Sequence, residues 1–144
     1  MDFIVDQRIA STSFVLGEWP LSQVLLKNNA SYPWFILVPR LVGMEEIEQL
    51  PQSIQHQLID EISQLSAIVR AYFNPHKLNV AALGNIVKQL HVHVVARFTD
   101  DPLWPHAIWQ AGQTEDPYDL QVLNSLLAHF REQVGTYLYS GKGS

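Results

Sequence analysis

The stretch Gln89-Leu90-His91-Val92-His93-Val94-Val95 constrains this chain more than any other. It is rich in β-branched residues, and polar and apolar residues alternate along it, which is the pattern of a β-strand. Side chains on a strand point alternately to its two faces. Gln89, His91 and His93 are therefore expected on one face, with Leu90, Val92 and Val94 on the other. The apolar row can enter a core while two imidazoles and an amide stand opposite. Such a row has three readings: a metal site, a catalytic centre, or a half-buried structural pair.

The surrounding pattern gives an α+β domain. Residues 2–9 are expected to form a short helix with Phe3, Ile4 and Ile9 inward. Residues 13–16 read as a strand closed by Gly17. Residues 23–27 and 34–38 read as an antiparallel hairpin around the turn-forming residues 28–33. A helical turn is expected over 45–50. Apolar residues at helical spacing (Ile54, Leu58, Ile59, Ile62, Leu65, Ile68, Val69 and Tyr72) predict a long helix over 51–72, with its Glu and Gln residues in solvent. Residues 78–82 read as a strand, 83–85 as a sharp turn at Gly84, and 103–113 as an ordered loop. Residues 117–134 read as a second helix. The sheet should be mainly antiparallel, about five strands, with helices on one face. Residues 1–140 are expected to be a single domain and 141–144 a disordered tail.

Composition enters by exclusion. The 144 residues carry a formal net charge of −5, which argues against a nucleic-acid groove or an anionic membrane surface as partner. It leaves room for a small phosphate ligand, which needs local donors only. No cysteine is present, so disulfides and thiolate zinc sites are excluded. No secretory signal or bilayer-length apolar run is seen, and a cytoplasmic location is expected.

The histidine row then has to be weighed as chemistry. A metal on His91 and His93 needs a third ligand, and Gln89 is a poor one. Asp100, Asp101, His76 and His106 have no ligand-set spacing around the pair, and no metal or other cofactor is expected. Nucleophilic attack on phosphorus suits a neutral imidazole near pH 7, provided its other nitrogen is held and a neighbour takes the phosphoryl oxygens. The turn at Gly84-Asn85 could present backbone N–H groups and an amide to the same phosphate. On chemistry alone, one buried and one surface histidine competes evenly with this.

These residues resemble the histidine triad family of nucleotide hydrolases and transferases, whose signature is His-φ-His-φ-His-φ-φ with φ apolar. The resemblance extends over the hairpin ending in Phe35-Ile36-Leu37-Val38-Pro39-Arg40, the long helix, Leu78-Asn79-Val80 and Arg97. It looks closest to a bacterial branch with Leu-Asn-Val-Ala-Ala-Leu-Gly-Asn before the motif and Asp-Pro-X-Trp-Pro after it, here residues 78–85 and 101–105. The resemblance implies that His91 is the nucleophile toward the α-phosphorus of a nucleotide conjugate and that His93 binds phosphate oxygens. Asn28 would touch the ribose and Asn85 the phosphate. Asn79 would hold a loop or touch ligand. Trp104 would lie near the site of a partner protomer, since the family commonly forms homodimers. Gln89 replaces the first histidine and cannot carry a proton. Ile86 stands where relatives often have Ser or Thr. Phe3, Phe14 and Leu25 are candidates for an apolar wall under a base. Lys88 and Arg97 differ in parity and should not both face the phosphate. His106 is a candidate stand-in for the missing histidine. The alternative to an enzyme is a nucleotide-binding regulatory module without turnover.

Overall fold

The computed structural model describes residues 2–141, with side chains through Thr136. Five antiparallel strands form one sheet: β1 (Ser13–Glu18), β2 (Ser22–Lys27), β3 (Trp34–Pro39), β4 (Lys77–Ala81) and β5 (Val92–Arg97). Their spatial order is β1-β2-β3-β5-β4, so β5 inserts between the hairpin and β4. Three α-helices accompany them among the described residues, α1 (Gln7–Ala10), α2 (Gln52–Phe73) and α3 (Leu120–Gly141), and the helical turn expected over 45–50 is a 3-10 turn at Ile47–Gln49. This is the α+β arrangement that the sequence pattern implies. Gly141 closes α3, and the rest of the expected tail, residues 142–144, lies outside the described residues.

Register explains which residues meet. Leu26 pairs with Phe35 across the hairpin, and Phe35 pairs with Val94 of β5. The even residues Val92, Val94 and Ala96 enter the main core with Val24, Leu26, Phe35 and Leu37. Leu58, Leu65 and Val69 of α2 and Leu123, Phe130 and Val134 of α3 close that core from one face. The odd face of the sheet has no long helix. There Leu25, Ile36 and Val38 pack with Ile9 and Phe3, while Val95 packs with Tyr32 and Ile108. All six residues of β5 are thus buried.

Several sequence expectations shift. Residues 2–6 are not helical; α1 is a single turn capped by Asp6, and Ile4 is exposed. The backbone there is instead spent on hydrogen bonds to Gln89, described below. β1 does not stop at Gly17 but runs through a bulge between Val15 and Gly17. A Cβ at Gly17 would stand 2.9 Å from Cγ1 of Val134, so the absent side chain lets α3 approach β1. The long helix ends at Asn74, whose left-handed φ of 47° suits Asn. Of its apolar stripe, Ile59 and Tyr72 are left exposed. Phe14, a candidate for the wall under a base, packs into the main core.

Glu61 corrects the expectation of a solvated polar face. It is 1% exposed. Its Oε2 accepts from Leu21 N–H and its Oε1 from Ser22 N–H, both at 2.9 Å. The carboxylate thereby satisfies two buried donors at the start of β2 and ties α2 to the sheet. Replacing one oxygen by an amide would set donor against donor. Glu61→Gln should destabilise the fold by about 1–3 kcal/mol, the cost of an unsatisfied buried donor. Urea unfolding would show this as a lower midpoint at unchanged slope; an unchanged midpoint would count against it.

Candidate active site

His91 and His93 are both 7% exposed. Their ring centroids lie 4.9 Å apart with planes at 77°. Each ring has one nitrogen fixed by a partner whose chemistry leaves no choice. Nδ1 of His91 stands 2.7 Å from the Gln89 carbonyl oxygen, which can only accept. Nδ1 must therefore carry a proton, so in the neutral ring the lone pair is on Nε2. Nδ1 of His93 stands 2.9 Å from Nε1 of Trp34, an indole N–H that can only donate. The proton of His93 is therefore on Nε2. One imidazole offers a nucleophile and the next offers a donor. Burial, with positive potential from His91 and Lys27 added, pushes the pKa of His93 down to about 3. It stays a neutral donor at neutral pH.

The pair opens on a cleft of about 730 Å³ on the odd face of the sheet. Ile9, Ile36, Val87 and Ile108 supply apolar wall, and Lys27, Asn29, Asn85 and Trp109 supply polar groups. A concave site that combines apolar wall with convergent polar groups is the usual form of a small-molecule site, and this one is richer in polar groups than most. Among the described residues no group of three or more His, Asp or Glu is placed to hold a metal ion.

The other residues expected at the site divide. Asn85 lines the cleft beside Gly84, whose φ is +82°. Gln89 precedes β5 rather than beginning it, and it does not line the cleft. Its Nε2 donates to Ile4 O and its Oε1 accepts from Asp6 N–H, both at 2.8 Å. One residue thus anchors the N-terminal segment through its side chain and holds the His91 tautomer through its carbonyl. Asn28 is also outside the cleft. Its Oδ1 accepts from Tyr118 N–H at 2.9 Å, joining the hairpin loop to the segment before α3. Its neighbour Asn29 lines the cleft instead.

Asn79 accepts from Nη1 of Arg97 at 2.9 Å, and Arg97 pairs with Asp101 at 2.7 Å through Nε. Asp101 also accepts from Trp104 N–H at 2.8 Å. Desolvation raises the Asp101 pKa, but hydrogen bonds from Arg97 and from backbone N–H groups outweigh it, so the net shift is downward. This network fixes the turn after β5. Trp104 sits over Arg97 and against His76, away from the cleft. His106 and Lys88 also lie outside it.

Sequence reasoning missed Lys27, Asn29, Trp34 and Trp109. Lys27 and Trp34 flank the hairpin loop at the next step beyond the Leu26–Phe35 pair, so hairpin register would have set them side by side. Nothing local marks Trp109, which reaches the site from a loop.

Two imidazoles, one with Nδ1 and the other with Nε2 turned to donate, stand beside a cleft of mixed polarity, an arrangement that can serve attack on an electrophilic phosphorus or carbonyl centre. Comparison with known proteins gives that class its family. The HIT domain model matches residues 8–100, and the chain belongs to this family, whose members are generally nucleotide-binding hydrolases and transferases and often act as dimers. A histidine triad protein from Marinobacter aquaeolei VT8 is 40% identical with a TM-score of 0.89, over 94% of this chain and 98% of that one. One from Bradyrhizobium japonicum is 36% identical with a TM-score of 0.88, over 92% and 98% of the two chains. One from Sinorhizobium meliloti 1021 is 34% identical with a TM-score of 0.86, over 91% and 96%. No curated protein matches the chain.

The His93 geometry has a measurable sign. The unfolded chain protonates this imidazole near its ordinary pKa of about 6.5, while the folded chain does so only near 3. Between those values the unfolded state binds more protons. The contribution to stability is full above about pH 6.5 and is lost toward pH 3, at up to about 1.4 kcal/mol per pH unit. Imidazole ¹⁵N spectra at pH 5 should show His93 neutral with its proton on Nε2. Trp34→Phe frees Nδ1 and should raise the titration midpoint. A protonated His93 in the unmodified protein at pH 5 would contradict the assignment.

Proposed function

We propose that the protein hydrolyses or transfers at the α-phosphate of a nucleotide conjugate, such as a dinucleoside polyphosphate, phosphoramidate or ester, through a nucleotidyl-histidine intermediate. The observation that carries this is the bond from His91 Nδ1 to the Gln89 carbonyl, which leaves Nε2 as the free lone pair beside the cleft. In the first step Nε2 forms a bond to phosphorus and the bond to the leaving group breaks, its electron pair departing with that group. Positive charge grows on the imidazole, and the Gln89 carbonyl stabilises it through Nδ1–H. His93 Nε2–H donates to a non-bridging oxygen as negative charge builds there. In the second step water attacks phosphorus and releases a proton to solvent, the N–P bond breaks, and Nε2 recovers its electron pair. No metal or cofactor takes part in this scheme.

Gln89 is read as occupying the first position of the triad, in a bacterial branch of the family. Its amide presents a donor and an acceptor side by side, which matches the N–H and C=O of extended backbone. Its bonds to Ile4 and Asp6 support a positioning role for it rather than proton donation. Leaving groups that depart as stable anions are then favoured over those needing a proton. Asn85 is assigned to the phosphate, and the nucleoside contact expected of Asn28 passes to Asn29, which lines the cleft. The reading also takes the protein to act as a homodimer in the cytoplasm, on the strength of family habit.

A panel of dinucleoside polyphosphates, phosphoramidates and nucleotide esters, assayed with chelator present, tests the mechanism. His91→Ala should lower turnover by at least about 10³-fold, as expected for loss of a nucleophile. Retained turnover in that variant would overturn the scheme. Gln89→His should lower kcat rather than raise it, because the two imidazole nitrogens diverge and cannot replace both backbone bonds. A gain in kcat would instead show that position acting as an acid.

A further inference from the structure

The cleft holds two donors that are poorly matched with acceptors. Lys27 reaches it from β2, with its ammonium 5.0 Å from the centroid of the Trp34 ring. Its one hydrogen bond among the described residues is a long one, 3.4 Å to Thr12 Oγ1, and no carboxylate lies within ion-pair distance. Arg8, the other cation lining the cleft, is already paired with Asp6 at 2.9 Å. The indole N–H of Trp109 is buried and also lacks a partner. Trp109 packs against both Trp34 and His93, with centroids 6.3 and 5.4 Å away. Lys27 and Trp109 thus bracket the ring that holds His93. Glu115, which also lines the cleft, acts on Lys27 only from beyond ion-pair distance. Holding a half-buried ammonium on one long hydrogen bond, beside a buried indole N–H with no acceptor, costs free energy that an anionic ligand would recover.

We propose that Lys27, assisted by Trp109, binds a second phosphate of the substrate nucleotide, distinct from the α-phosphate at His91 and His93. This rests on the nucleotidyl-transfer reading and narrows its substrate class to nucleotides with at least two phosphate groups. An ammonium is a compact donor-only charge, suited to phosphate oxygens rather than to an amino-bearing base edge. The second phosphate can sit beyond the α-phosphate in an anhydride or on the ribose. The anhydride case agrees with a Gln89 that supplies no proton, since a phosphate leaves as an anion.

Binding calorimetry on His91→Ala, which separates binding from turnover, tests this with AMP, ADP and adenosine 3′,5′-bisphosphate. The readout is the affinity ratio of each bisphosphorylated probe to AMP within one protein. One of the two ratios should reach about tenfold or more, the scale of one charge-assisted hydrogen bond. In His91→Ala with Lys27→Met, which keeps an unbranched stem, that ratio should fall to near one. Lys27→Arg should retain most of it. The probe that shows the gain tells which position carries the phosphate. Ratios near one in the Lys27 protein, or a gain that survives Lys27→Met, overturn the proposal while leaving the α-phosphate reading in place. Failure of all three probes to bind sinks both.

Discussion

A central strand with two buried faces must give each face a different core, and that requirement shapes this molecule. β5 sends Val92, Val94 and Ala96 under the two long helices. Its other face carries His93 and Arg97, which cannot be buried unpaired, and Val95, which needs an apolar cover. Each is met by a separate device. Trp34 satisfies His93, Tyr32 and Ile108 cover Val95, and Asp101 with Asn79 neutralises Arg97. The loop after β5 owes its place to the last of these. It then supplies Ile108 and Trp109 to the cleft. Structural pairing at one end of the strand therefore builds part of the wall at the other.

The N-terminal segment completes the opposite wall. Ile9 and Phe3 pack on Leu25, Ile36 and Val38, held by the two side-chain bonds of Gln89 and by Arg8 Nη1 on the Ile86 carbonyl. The same residue that anchors this segment accepts the hydrogen bond from His91 Nδ1–H through its carbonyl. Wall and nucleophile are thereby coupled over a few bonds.

Much of this was legible in residue order. Alternation in 89–95 gave the faces of β5, and the hairpin and the long helix followed from turn chemistry and apolar spacing. The illegible parts share a cause: they depend on partners far along the chain. Gln89 reads as a member of the histidine row until Ile4 and Asp6 claim its amide. Glu61 reads as a solvated acid until the N–H groups of Leu21 and Ser22 turn toward it. Asn28 and Asn29 are indistinguishable by composition, and Tyr118 separates them by taking one. Phe14 differs from Leu25 only in parity, which sends it to the helix side.

Tryptophan placement gives the protein an optical sense of its own cleft. Trp19 is sealed in the core with its indole on the Val134 carbonyl, and Trp104 is stacked in the Arg97 network. Trp34 and Trp109 alone among the four line the cleft, Trp34 edge-on to both Trp109 and His93 and Trp109 tilted against His93. Intrinsic emission therefore divides into two silent chromophores and two that share a wall with any occupant. An occupant therefore has two native chromophores against it, without a label being attached.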